Sequence, residues 1–258
     1  MSPRPVRIVA ASLFCPAGIG VMGLGPAVPG PVPGFDPIAF GVPRKHLKTM
    51  TRAVQLGVAA VAAALVETPE WQQIAPERRG LFVGASPQSG DAEDLASALA
   101  AAQGDPGKFA RDGVPLIPPL WLVKGLSNNV LGYASAQHDF RGDNGNWCDG
   151  PLGGANALAQ AVHAVAERRV DLAIAGGADS LVGAESLIGG PCGEGAAFIV
   201  LMAGERGDPL AMAGLPSEEG IEVGFGEMGA AAVPVAWARA WLSRDPVDVG
   251  GVSGRRWS

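Results

Sequence analysis

The apolar and polar positions alternate along the chain in blocks of two kinds. Val6–Ser12 is short, apolar and β-branched at its start, which predicts a buried strand. Arg79–Ala85 repeats that pattern and runs into a turn at Ser86–Gly90. Asn144–Cys148 reads as a short strand, Asp171–Ala175 as another ended by Gly176 and Gly177, and Ala196–Met202 as the fifth. Between them lie stretches of helical period. Met50–Val66 is Ala-rich and is capped by Thr49 or Thr51. Asp91–Ala102 carries acidic residues in its first turn, as the helix dipole favours. Pro118–Tyr133, Gly154–Arg169 and Ala230–Leu242 complete the helices, and the tail Arg244–Ser258 reads as loose. Strands alternating with helices predict an α/β layered sheet.

One region breaks both periods. From Pro16 to Pro43, 14 of 28 residues are Gly or Pro, a density that excludes a helix or a central strand and predicts a long loop. Gly18-Ile-Gly20-Val-Met-Gly23 within it matches the dinucleotide fingerprint. That fingerprint needs a helix directly behind it, and Pro26, Pro29, Pro31 and Pro33 forbid one.

Composition narrows the classes. The chain has 258 residues, 48% hydrophobic and 17% charged, enough apolar content for a large core and too much for disorder. The net charge of −6 leaves no basic stripe for nucleic acid. The longest apolar run, Gly57–Val66, is too short to span a bilayer. Arg4 and Arg7 before Ile8–Phe14 faintly resemble a leader ending at Cys15, but bulky Phe14 and the following Pro16 do not suit processing. Cys15, Cys148 and Cys192 form no C-x-x-C pair, which fits a reducing, cytoplasmic setting. His46, His138 and His163 lie far apart with no ligand spacing, so neither a metal nor another cofactor is expected. There is no G-x-S-x-G to support a serine hydrolase.

Four blocks between Leu120 and Met202 carry a family resemblance. Phe140-Arg-Gly-Asp-Asn144 is similar to an "LRGPN" turn, and Gly154-Ala-Asn-Ala begins the helix after a "TACASG" elbow. Asp171-Leu-Ala-Ile-Ala-Gly-Gly-Ala-Asp179 is similar to "DVALAGGAE", and Gly193-Glu-Gly-Ala-Ala-Phe-Ile-Val200 to "GEGAAALVL". Met50-Thr-Arg matches the helix start "MDR", and Leu81–Ala85 the strand "GVVVGT". In this order and spacing the blocks resemble the N-terminal half of a β-ketoacyl synthase of the thiolase superfamily, over roughly residues 5–203.

The resemblance implies a thiolase-like mixed five-stranded sheet layered with helices: one half of the two-half fold at 1–213, and a C-terminal remnant with one helix and a loose tail at 214–258. Anchored on Asn144 and Gly154, it puts the family's nucleophilic cysteine on Pro151, which has no nucleophile. Cys148, three residues earlier, is the fallback, expected to be buried with its thiol toward the sheet. Gly224–Ala232 resembles "GHTxGAAG", with the histidine position at Gly226. Glu194 is expected to tie down a turn rather than act as an acid. Asn144, Trp147, Cys148, Asp149, Gly150, Pro151 and Gly154 are the elbow and interface candidates, with Trp147 as anchor and Trp121 second.

The function so implied is a non-catalytic ketosynthase-like subunit of fatty-acid- or polyketide-type biosynthesis. Its partners would be a second copy or a full-length ketosynthase, with acyl carrier protein as a further partner. An active condensing or acyl-transfer enzyme using Cys148, and an acyl-chain or small-molecule binding module, are the alternatives.

Overall fold

A computed structural model describes residues 4–20, 28–86, 93–204, 227–243, 247–249 and 252–254. Its centre is a sheet of six strands: β1 (Val6–Cys15), β2 (Gly18–Ile19), β3 (Arg79–Gly84), β4 (Asn144–Trp147), β5 (Leu172–Ser180) and β6 (Glu194–Ala203). Their order is β2-β1-β6-β5-β3-β4. β3 runs parallel to β4 and β5, and the other pairings are antiparallel. The sixth strand, β2, is the one the Gly/Pro-rich loop concealed: two residues fold back on the end of β1, Phe14 opposite Ile19.

Helices cover both faces. α1 (Arg52–Val66) starts where Thr51, one of the two caps its sequence offers, accepts a hydrogen bond from the Val54 N–H. α1 and α5 (Asn129–His138) pack on the face presented by Leu81, Val83, Ile174 and Phe198. α6 (Gly153–Ala166) and α8 (Ala232–Ser243) cover the face presented by Phe82, Ala173, Ala175 and Ile199. Neighbouring residues of β3 and β5 thus enter opposite layers, as the pleat dictates. With both faces covered, β5 and β6 are buried almost throughout. Gly57 lets α1 come close, because a Cβ there would stand 2.7 Å from Val130 and 2.9 Å from Ala178.

Several elements differ from expectation. Pro118–Tyr133 is not one helix: α4 (Trp121–Lys124) stops at Gly125, and α5 begins four residues later. β5 does not end at Gly176 and Gly177 but passes through them. A Cβ on Gly176 would strike the Ala197 carbonyl, and one on Gly177 the Ala230 carbonyl. These glycines therefore mark close backbone approach, not a strand end. The tail is not wholly loose, since β7 (Val247–Val249) and β8 (Val252–Gly254) pair as a short antiparallel hairpin. The expected boundary at 213/214 lies outside the described residues. α8 itself is part of the main core, with Trp237 and Ala238 buried in the α6 layer; the Trp241 side chain lies outside the described residues.

Three shorter helices lie off this core. α2 (Glu93–Ala102) and the single turn α3 (Pro106–Lys108) fall between β3 and α4, and α7 (Glu185–Ile188) between β5 and β6. No helix among the described residues is long and apolar enough to cross a membrane.

Candidate functional site

Two helix starts converge at the carboxyl end of β3. β4 lies beside β3 in register, Gly84 opposite Trp147, and the Ala85 N–H donates to the Trp147 carbonyl at 2.9 Å. The chain then turns sharply. Gly150 adopts φ +56°, a conformation that suits glycine, and Gly150–Leu152 forms one 3₁₀ turn leading directly into α6. Pro151 sits in that turn, where a fixed φ and a missing N–H cost nothing. Asp149 accepts a hydrogen bond from the Asn156 side chain at 2.9 Å, tying the turn to the first helical residues.

The second start is the turn Gly229–Ala231 leading into α8. It packs against the Pro151 turn and against α6. A Cβ on Gly154 would collide with the Ala230 carbonyl and the Pro234 ring, so only glycine permits this approach. The strand–turn–helix elbow and the Gly224–Ala232 segment, far apart in sequence, are thus neighbours through Gly229–Ala231. Gly226 itself lies outside the described residues.

Asp179 ties the assembly together. Its buried carboxylate accepts from the Ser86 hydroxyl at 2.5 Å, the Ala230 N–H at 3.1 Å and the Ser180 N–H at 2.9 Å. Burial pushes its pKa above the ordinary aspartate range, more than those hydrogen bonds pull it down. One side chain joins the ends of β3, β5 and the start of α8. Sequence reasoning had Asp179 only as the end of a matched block; a lone acid closing an apolar strand was its one signal.

Glu194 begins β6 and is also buried. Arg52 grips it at 2.6, 3.0 and 3.1 Å, the Val32 N–H donates at 2.8 Å and the Ser180 hydroxyl at 2.9 Å. The Arg52 guanidinium lies 4.7 Å from the Phe35 ring centroid. These contacts tie the start of β6 to the segment at Val32, to α1 and to the end of β5, a longer reach than the single turn expected of this residue.

The candidate residues divide. Asn144 is exposed on β4, the open edge of the sheet. Trp147 is half-buried. It lies along its strand over Gly145 and stacks on Phe82, with centroids 6.2 Å apart. Cys148 was expected to be buried and is only half-buried, because it follows β4, which has no further strand beside it among the described residues. Its sulfur accepts from the Asn146 amide at 3.2 Å, not from a histidine. His138 lies at the other end of β3, where the Arg79 side chain reaches its carbonyl; its pKa is lowered by burial. His163 stands about 15 Å along α6 from its start. His46 packs on Tyr133, with ring centroids 5.3 Å apart. No cluster able to hold a metal occurs among the described residues. A separate cleft of about 540 Å³ runs along the outer edge of β1, lined mainly by apolar residues such as Val9, Leu13, Ile19 and Leu242, with Glu67 among them.

A mixed sheet layered with helices, and an elbow facing a second helix start, define a thiolase-like fold. The chain belongs to the β-ketoacyl synthase family: the model of the family's N-terminal domain matches residues 24–193. No curated protein matches the chain. Solved structures share the fold at low identity. A ketosynthase of Burkholderia phymatum matches at 20% identity and TM-score 0.61, over 78% of this chain and 60% of that one. An ishigamide ketosynthase/chain length factor matches at 18% identity and TM-score 0.62, over 78% and 59%. A chain from the complex of a ketosynthase with its chain length factor, from Xenorhabdus doucetiae, matches at 13% identity and TM-score 0.63, over 96% and 86%. The chain spans about 60% of the length of the first two.

Proposed function

We propose that this chain is a non-catalytic ketosynthase-like subunit of fatty-acid- or polyketide-type biosynthesis, working in a dimer with a full-length ketosynthase. The observation that carries the reading is Pro151. It occupies the turn between β4 and α6, where the family resemblance puts the nucleophilic cysteine. A proline ring can neither attack a thioester nor be activated by a base. The nearest thiol in sequence, Cys148, lies before the turn, just past the end of β4 and not at the start of α6.

The partner reading is supported by two features. β4 is an open sheet edge, which can extend across a two-fold axis into a second sheet. The Xenorhabdus chain, covered over 86% of its length, belongs to a ketosynthase–chain length factor complex, so a chain of comparable extent takes part in such an assembly. Acyl carrier protein is the further partner. One similar structure is a type II polyketide synthase carrier protein bound to its ketosynthase, and this chain exposes Arg44, Lys45 and Lys48 to an anionic partner.

The test is to incubate the purified chain with an acyl-pantetheine thioester and weigh it by mass spectrometry, alone and with a ketosynthase from the same gene neighbourhood. No acyl adduct on this chain, and co-purification with the ketosynthase, are expected. An acyl group on Cys148 would make it a condensing or acyl-transfer enzyme instead. The β1 cleft favours a second reading, an acyl-chain binding module, whose signature would be saturable uptake of a fluorescent fatty acid without any ketosynthase.

A further inference from the structure

β1 pairs with β6 from Val6 to Phe14 but carries a second strand only at its end. β2 lies beside Phe14 and Cys15, and the Gly20 N–H donates to the Leu13 carbonyl at 2.8 Å. That bond fixes which way the backbone points. In an antiparallel ladder both polar groups of one residue face the same side, and the side alternates from residue to residue. Leu13 therefore turns its groups away from β6. So does Ala11, two residues earlier in unbroken register. Among the described residues nothing bonds the outward N–H and C=O of Ala11.

The cleft of about 540 Å³ runs along this edge, and its two walls differ. α1 and α8 pack on opposite faces of the sheet. Ala63 and Glu67 come from the end of α1, and Leu242 from the end of α8, while Val9, Leu13 and Ile19 lie between them. Glu67 is exposed, and its carboxylate has no ion pair among the described residues. The stretch from Val9 to Leu13 is five residues long, about 17 Å of strand.

An occupant has to answer three features at once: a strand edge offering a donor and an acceptor, apolar walls, and an anion on one wall. An acyl chain answers only the second, and a free fatty acid would bring its own carboxylate toward Glu67. An extended peptide answers all three. It adds a strand to β1 in line with β2, and its side chains alternate between the α1 wall and the α8 wall. We infer that the outer edge of β1 is a strand-addition site for an extended segment of another protein in which basic and apolar residues alternate. The basic residues face Glu67 and the apolar ones Leu13 and Leu242. This site stands apart from the subunit reading, because β1 and β4 lie toward opposite edges of the sheet, so both edges can be filled at once. With β2 as the template, the added strand runs antiparallel to β1. The residue opposite Ala11 then shares its face, the α8 side, and is an apolar one whose N–H points at β1.

The experiment is fluorescence anisotropy with a dye-labelled, amide-ended peptide Val-Lys-Val-Lys-Val. Two further peptides are N-methylated, one on its valines and one on its lysines. Both keep every side chain, and each loses the N–H groups of one edge only. Expected is saturable binding of the plain and lysine-methylated peptides, with the valine-methylated one about 10-fold weaker. Glu67→Gln should weaken the plain peptide about 3-fold. Glu70→Gln, exposed in the turn Pro69–Gln73 and not among the residues lining the cleft, should bind it as wild type does. No saturable binding, or equal binding of the two methylated peptides, overturns strand addition. Unchanged binding by Glu67→Gln overturns the basic partner. A fluorescent fatty acid that fills the cleft and is not displaced by the peptide overturns the peptide as occupant. Co-purification of a ketosynthase in the presence of saturating peptide reports on the subunit reading separately.

Discussion

Gly84 at the end of β3 lies directly against the Gly154 N–H in the first turn of α6, with no room for a Cβ between them. Backbone faces backbone here, so neither side can yield by a rotamer change. Gly84→Ala must push α6 off the sheet and disturb the elbow at Pro151. Overpacking of this kind costs about 1–3 kcal/mol, with a Tm lower by roughly 2–12 °C for a chain of this size. Differential scanning calorimetry would measure it, and an unchanged Tm would contradict the contact.

The Arg52–Glu194 pair should behave as a buried tie. Glu194 is 2% exposed, and Arg52→Ala would leave its carboxylate with only the Val32 N–H and Ser180 hydroxyl. The expected loss is about 2–4 kcal/mol, seen as a lower urea midpoint. Arg52→Lys should recover only part, because an ammonium cannot reproduce the fork that holds both carboxylate oxygens.

Asp179 sets one pH dependence. Its folded pKa lies above that of the unfolded chain. Between the two values the folded state holds a proton that the unfolded state has lost, so stability falls as pH rises through that window. Asp171 acts the other way. The Arg78 guanidinium, aided by Arg4, holds its pKa down, and the stability it lends is lost as pH falls through the lowered value. Asp179→Asn should therefore flatten the decline above the ordinary aspartate range while leaving the acid limb in place. Parallel unfolding curves for wild type and variant would remove this account.

Thiol labelling tests the elbow. In the native protein iodoacetamide should modify Cys148, half-exposed beyond the sheet edge, and spare Cys15 and Cys192, which are buried and whose pKa values burial pushes up. Pro151→Cys places a thiol at the start of α6, where the helix dipole favours the thiolate. It should label several-fold faster than Cys148 at neutral pH, as followed by mass spectrometry. A slower reaction at 151 would mean that the turn does not present its side chain over the helix start.

The strands and the Ala-rich helices were legible because their period is local. Leu81, Phe82 and Val83 alternate between two buried layers, and of the two caps the sequence offers α1, Thr49 and Thr51, the second is the one used. Pro118–Tyr133 was misread because its two opening prolines and an apolar run look like a helix start, while the stop at Gly125 is a single residue in a tolerant context. Gly176 and Gly177 were misread for a different reason. Their meaning lies in Ala197 and Ala230, whose carbonyls press on them from other elements. The candidate site shared that difficulty. Pro151 was readable from its neighbours, but its contact with the Gly229–Ala231 turn, and the joint that Asp179 makes, join residues tens of positions apart.

The pairing of β1 with β6 carries a consequence for how the molecule comes into being. Val6 lies opposite Ala203 and Phe14 opposite Ala196. A ribosome moving at about 5–20 residues per second needs on the order of 10–40 s to make the partner of a strand it has already released. Through that interval β1, apolar on both faces, has among the described residues only the two of β2 paired beside it. Closing so long a loop is slow, and a bare apolar strand is what chaperones hold. The birth of this protein is thus a wait at its first strand, and its yield in any host will follow how well that strand is sheltered until β6 arrives.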